Sequence, residues 1–328
     1  MNLKNKLQKF FFLLLVIIPL NVFAYSDYVV VGGNNIGIEV QSNGIIVVGF
    51  YDVNGKQIGR DSGFNLGDII TKIDNNEVTS IEDMAKKIND SKDKNKVNFT
   101  VLRNGSLEDI KLKLFREQNG VYKTGLYVKD KITGIGTLTY IDPNSKIYGA
   151  LGHEILESSS NIKIDVKDGK IFKANITGIN KSTNNSTGEK KATFDEDTVY
   201  GNIIENTTSG IFGKYTTKFD DSKLTKVGTS DDINIGPAKI RTVLEGNRIE
   251  EYDINIIKIN NDLTSKNILF EITDKKLKDK TNGIIKGMSG SPIIQNDMII
   301  GAVTHAIVND NNKGYGIFIT TMLIEGEN

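Results

Sequence analysis

The chain has no cysteine among its 328 residues. Disulfides, thiolate catalysis and cysteine-ligated metals are therefore excluded. Histidine is nearly as scarce, with His153 and His305 the only two. A histidine-rich metal centre cannot be built from them. No EF-hand-like loop offers an all-carboxylate site either, so neither a metal nor another cofactor is expected. Net charge is zero, with 41 Lys plus Arg against 41 Asp plus Glu, which removes the electrostatic case for a nucleic-acid partner. What remains is an ordinary globular composition, 38% hydrophobic and 25% charged, with length enough for two domains.

Long apolar runs are also rare, and the longest lies at the N-terminus. Lys4, Lys6 and Lys9 precede the run Phe10–Leu20, and Asn-Val-Phe-Ala-Tyr-Ser follows. The run is shorter than the roughly 20 residues of a membrane-spanning helix. A basic segment, an apolar segment and small-residue processing logic at Ala24 together read as an export signal over residues 1–27, cleaved or kept as a membrane anchor.

Residues 28–118 read as one α+β unit. Turn residues Gly63 and Gly67-Asp68 lead into a strand over Ile69–Ile73. Thr79 with Glu82 fits a capping box, and Ile81, Met84, Ala85 and Ile88 follow at helical spacing. Val97, Phe99 and Val101 alternate up to Asn104-Gly105, and Ile110, Leu112 and Leu114 alternate back, a hairpin signature. With Ser62-Gly63-Phe64, Gly67-Asp68-Ile69-Ile70, Ile73-Asp74-Asn75 and Val78, this order resembles a PDZ domain of the bacterial protease-associated type. The resemblance places a peptide-binding loop in Gly-Gly-Asn-Asn-Ile-Gly-Ile-Glu-Val, with the backbone of Ile36, Gly37 and Ile38 receiving a peptide, supplied in cis or in trans, as an added strand.

The polar stretch Arg116–Thr124, with Gly120, reads as a linker. A second domain over residues 125–328 then has an all-β texture of short apolar runs separated by Gly, Asn and Asp. A fragment starting near Gly125 is expected to keep the chemistry. The segment Asn180–Lys191 has no apolar anchor and reads as an exposed loop.

Chemistry concentrates in Gly287-Met288-Ser289-Gly290-Ser291-Pro292. Ser289 fits a nucleophile on a tight turn, with the amides of Gly287 and Ser289 as an oxyanion hole; it fits equally a turn serine without chemistry. A base must be His153, at the end of an apolar stretch, or His305. Each also fits a structural histidine. A zinc-peptidase helix is excluded, because His153-Glu154 meets Glu157 where a second histidine is needed.

Ser289–Ile294, Ile299–Thr304 and Gly314-Tyr315-Gly316 resemble the nucleophile region of chymotrypsin-like serine proteases. Taken whole, the chain is similar to the SpoIVB-type sporulation serine peptidases of endospore-forming bacteria, through its signal segment, PDZ unit, Gly152-His153 and terminal Gly-Met-Ser-Gly-Ser-Pro-Ile with Ala302-Val303-Thr304-His305 behind it. That resemblance implies a mainly β chain, a PDZ domain followed by a chymotrypsin-like double barrel. It implies His153 as base, Asp274 as orienting acid and Ser289 as nucleophile. Asp165, Asp195, Asp197 and Asp220 stay open as acids on order alone, and Asp274 also reads as an exposed loop carboxylate. Thr304, His305 and Ala306 would line the substrate cleft. Gly283, six residues before the serine, would floor an uncharged primary pocket. The implied activity is an exported endopeptidase, released between the forespore and mother-cell membranes, that cleaves itself and extracytoplasmic parts of membrane proteins. One outcome would be sigma-factor activation. The competing reading is a non-catalytic PDZ adaptor with a decayed protease domain.

Overall fold

In the computed structural model, residues 25–91, 93, 95–183, 186–261, 264–307 and 310–327 are described. The expected export signal lies outside them up to Ala24. No helix among the described residues is long and apolar enough to cross a membrane. The protein is mainly β.

One strand organises it. Asn35–Phe50 runs for 16 residues and pairs antiparallel with Leu126–Ile141, from Asn35 opposite Thr137 to Phe50 opposite Leu126. The register breaks between Gln41 and Ile46, where Gly44 takes φ +130°. The bulge bends the strand and lets it serve two cores. Ile36, Ile38, Val40 and Ile46 pack into the first barrel. Ile45 and Val47 pack into the PDZ unit. Neighbours Ile45 and Ile46 face opposite ways, as the two-residue strand period requires. The bulk of the PDZ unit thus leaves one strand after Phe50 and rejoins its partner at Leu126.

Within that unit, Ile69–Ile73 pairs with both the organising strand and Val97–Arg103. Arg103 pairs with Ser106 across Asn104-Gly105, whose φ values of 50° and 80° give the left-handed turn that this dipeptide favours. The helix spans Ile81–Asp90, and its cap is one residue later than the sequence suggested. Ser80 accepts from the amide of Asp83, and the Asp83 carboxylate accepts from Thr79 N. Ser80 is the residue with extended backbone, so its hydroxyl, not that of Thr79, faces the free amides. Met84 and Ile88 are buried, whereas Ala85 is exposed. The linker region folds into a small hairpin of Phe115–Arg116 against Tyr122–Lys123.

The peptide site expected at Ile36, Gly37 and Ile38 is corrected by this topology. Leu126–Ile141 occupies one edge of that stretch and Val166–Asn180 the other. With both sets of backbone groups bonded, no peptide can add as a strand there. A Cβ on Gly37 would stand 2.2 Å from the Phe172 ring, so the stretch is packed on its face as well.

The peptidase part has two principal cores. The first gathers Ile36, Ile38, Leu138, Tyr148, Ile171 and Ile211. The second gathers Ile240, Tyr252, Ile254, Phe270, Met288, Ile293 and Val303. A third cluster, with Tyr140, Phe212, Ile299, Met322 and Leu323, joins them through the terminal helix Ile319–Gly326. The segment Asn180–Lys191 does not lie free in solvent, as its polarity suggested. Ser182 and Lys190 are both buried, and Lys190 N donates to Lys286 O at 3.0 Å. Its anchors are polar, which hydrophobic patterning does not detect.

Candidate active site

Ser289 sits on the turn between the helix Lys275–Thr281 and the strand Pro292–Gln295. Gly287 and Gly290 flank it with φ +92° and +88°. Only glycine adopts these angles without strain. At Gly290 space is decisive as well, since a Cβ would stand 2.1 Å from Thr137 O.

The turn belongs to the second barrel, but the first barrel holds it. Thr137 Oγ1 donates to Gly287 O at 2.8 Å, and Thr139 Oγ1 donates to Gly290 O at 2.8 Å. Thr137 N donates to Ser289 O at 2.9 Å. Both threonines are fully buried. With these carbonyls pinned, the amides face the other way. Among the described residues no protein acceptor takes the amides of Gly287 or Ser289, the pair expected to bind an oxyanion. The two threonines were missed in the sequence. Their one signal was the spacing of two hydroxyls on one face of a strand, Thr137 and Thr139.

His153 reaches the same place from the first barrel. It lines, with Ser289 and Gly287, a cleft of about 500 Å³ whose apolar wall includes Ile38, Ile132, Ile135 and Leu151. Ile38 therefore serves the peptidase cleft. The His153 Nδ1–H donates to Glu154 O at 2.8 Å. That bond fixes the tautomer and leaves Nε2 as the basic nitrogen. At rest Ser289 Oγ donates to Thr304 O at 2.9 Å. The serine hydroxyl must turn away from this carbonyl before it can pass its proton to an imidazole.

His305 is an exposed neighbour whose ring centroid is 4.9 Å from that of His153. Although the residue is exposed at its outer side, desolvation of the ring by its packed neighbours, then the His153 and Lys266 charges, push His305 down to about 4, against the pull of Glu154. Burial likewise lowers His153 below its ordinary 6.5, against the Glu154 carbonyl bond and carboxylate. A lowered imidazole pKa keeps the base neutral to lower pH. We therefore expect activity to fall on acidification with a midpoint below 6.5, read from the pH profile of kcat/KM; an acid limb above 7 would contradict the burial of His153.

Thr304 and Ala306 lie on the strand Met298–Ile307, which pairs on one side with Asp310–Phe318. Its other ladder, to Pro292–Gln295, stops at Ala302, so Thr304–Ala306 present an unladdered edge beside the serine. Gly283 is elsewhere. It is buried at φ +122°, and a Cβ there would stand 2.3 Å from Asn311 O. It packs against that backbone and does not line the cleft.

Asp274 is not brought to His153. Its carboxylate caps the helix Lys275–Thr281, accepting from Leu277 N at 2.8 Å. Asp165 and Asp197 are exposed, Asp195 pairs with Lys173 at 3.8 Å, and Asp220 accepts from Ser222. Among the described residues no aspartate hydrogen-bonds His153. Asn caps a helix as well as Asp does. Asp274→Asn should therefore keep kcat within about threefold, and Asp274→Ala should cost about 1 kcal/mol of stability. A hundredfold loss of kcat in folded Asp274→Asn would show that the carboxylate reaches the histidine during turnover.

Comparison with known proteins assigns families to both parts of the chain. The SpoIVB peptidase S55 family profile matches residues 120–323, and a PDZ domain profile matches residues 35–114. The comparison with curated proteins gave no match. Among solved structures, the PDZ domain of the SdrC-like protein Lmo2051 from Listeria monocytogenes is 23% identical, covering 28% of this chain and 93% of its own, with a TM-score of 0.24. The Rv3671c protease of M. tuberculosis H37Rv, in its inactive form, is 11% identical, covering 58% of this chain and 82% of its own, with a TM-score of 0.31. Because the peptidase profile spans more than half of the chain, including His153 and Ser289, this chain belongs to the SpoIVB peptidase S55 family and is a serine peptidase that carries a PDZ domain.

Proposed function

We propose that the chain is an exported serine endopeptidase of sporulation signalling, with Ser289 as nucleophile and His153 as base. The observation that carries the assignment is one cleft holding His153, Ser289 and two amides free to bind an oxyanion. Ser289 Oγ attacks the peptide carbonyl while His153 Nε2 accepts its proton. The amides of Gly287 and Ser289 hold the negative oxygen of the tetrahedral intermediate. His153 then returns the proton to the leaving amine, and water releases the acyl group by the same route. The Glu154 carbonyl performs the orienting task usually given to a carboxylate.

The family name supports a place in sporulation, and the basic-then-apolar N-terminus supports export to the space between the forespore and mother-cell membranes. In that setting the substrates are this chain itself and extracytoplasmic parts of membrane proteins. The experiment is fluorophosphonate labelling followed by mass spectrometry. A phosphonylated Ser289 supports the reading; folded protein that stays unlabelled, or is labelled at another serine, overturns it.

A further inference from the structure

Lys190 lies behind the nucleophile turn, in a position that a chain seeking only stability has no reason to fill with a lysine. It is 4% exposed. Its Nζ donates to Asn35 Oδ1 at 2.7 Å and Thr242 Oγ1 at 2.9 Å. Both partners are neutral, and no carboxylate forms an ion pair with it among the described residues. Burial pushes the ammonium down to about 7. Burying a cation against two neutral oxygens costs more than an apolar side chain of the same volume, so its presence calls for a functional reason.

The surroundings supply one. Lys190 Cδ and Cγ lie 3.0 and 3.2 Å from where a Cβ on Gly287 would stand. The backbone of the same segment clasps the residue before Gly287, with Lys190 N donating to Lys286 O at 3.0 Å and Lys286 N donating to Gly188 O at 2.8 Å. Asn35, which holds the ammonium, is the ladder partner of Thr137, and Thr137 pins Gly287 O. The turn is thus gripped by Thr137 and Thr139 and packed against by the stem of Lys190.

We propose that Lys190 is a positioning residue for the oxyanion-binding turn: its stem backs Gly287, and its ammonium sets an unneutralised positive charge behind the amides of Gly287 and Ser289. The inference rests on Ser289 being the nucleophile. Negative charge on the reacting oxygen appears only in the transition state and the tetrahedral intermediate. An amine poised at about 7 is held in its charged form by the negative oxygen as it develops, so it lowers the barrier without tightening ground-state binding.

The absence of cysteine from the natural chain makes the charge testable. Lys190→Met, matched in length but neutral, should lower the maximal fluorophosphonate labelling rate about tenfold, less than the hundredfold or more for deleting an oxyanion donor. The half-saturating probe concentration should change less than twofold. In parallel, Lys190→Cys is alkylated while unfolded, with bromoethylamine in one sample and bromopropane in another, and both are refolded. The aminoethyl adduct should recover most of the lost rate and the propyl adduct should not. Equal rates for the two adducts would overturn the proposal, because stem packing would then suffice. So would a Lys190→Met protein labelled within twofold of the parent. If Lys190→Met does not fold, the adduct pair decides alone. A Ser289→Ala sample that still labels would instead overturn the underlying nucleophile assignment.

Discussion

Ser289→Ala should lower cleavage by about a million-fold while leaving the fold intact, and His153→Ala should be nearly as severe. The two side chains act as one unit, since the hydroxyl is a weak nucleophile until a neighbouring imidazole takes its proton. The double variant should therefore be no slower than either single one. Purified proteins, each free of wild type, would be followed by mass spectrometry for self-cleavage and for turnover of an added peptide library. Self-processing by Ser289→Ala would place the nucleophile elsewhere. Two effects losing a million-fold each and adding on a logarithmic scale would deny that they cooperate. Melting curves distinguish lost chemistry from lost structure, because the serine hydroxyl makes one bond, to Thr304 O.

A chain beginning at Gly125 should not fold, which reverses the expectation from sequence. Such a fragment lacks Tyr28–Val31 and the whole of Asn35–Phe50. The second of these is an interior strand, paired with Leu126–Ile141 on one side and Val166–Asn180 on the other. Its loss would expose two ladders and remove Ile36, Ile38 and Val40 from the first barrel core. At about 2–5 kcal/mol for each large apolar side chain deleted from a core, these three alone cost about as much as the whole stability of a typical domain. A different cut should succeed. Phe50 and Leu126 are ladder partners, so replacing residues 51–125 with a short Asn-Gly turn keeps the strand pair and removes the bulk of the PDZ unit. We expect the fragment from Gly125 to show no cooperative melt and no labelling. The excised chain should label at Ser289. Folded, reactive protein from Gly125 would mean that the barrel closes without its central strand.

These two results bear on what the PDZ unit does. The Ile36–Ile38 stretch expected to receive a peptide is built into the peptidase, so no strand adds at that place. Helix Ile81–Asp90 even takes a bond from that same partner strand, Ile81 N donating to Asp130 Oδ2 at 2.8 Å. The unit is therefore joined to the barrel through continuous β-structure, and any influence on the cleft would pass along the strand that carries Ile38.

The sequence by itself determined what depends on neighbours a few residues away. Asn104-Gly105 fixed a hairpin because its dihedral demands are local. The helix after Ser80 followed from spacing of Met84 and Ile88, although the cap slipped by one residue where two hydroxyls were adjacent. Gly287 and Gly290 announced the turn around Ser289 through conformations that other residues avoid. Total absences, above all of cysteine, limited the chemistry before any contact was known. The tertiary structure decided everything that depends on which edge meets which. Alternation in Asn35–Phe50 says which residues face a core, but not that both edges are occupied or that a bulge divides the strand between two cores. Asp274 stood as a triad acid through the family resemblance alone, yet its carboxylate is used by its own helix. Thr137, Thr139 and Lys190 reach the serine turn from about 100 to 150 residues away. Their polar anchors carry no hydrophobic period, and only long-range packing brings a threonine hydroxyl or a lysine stem against a glycine.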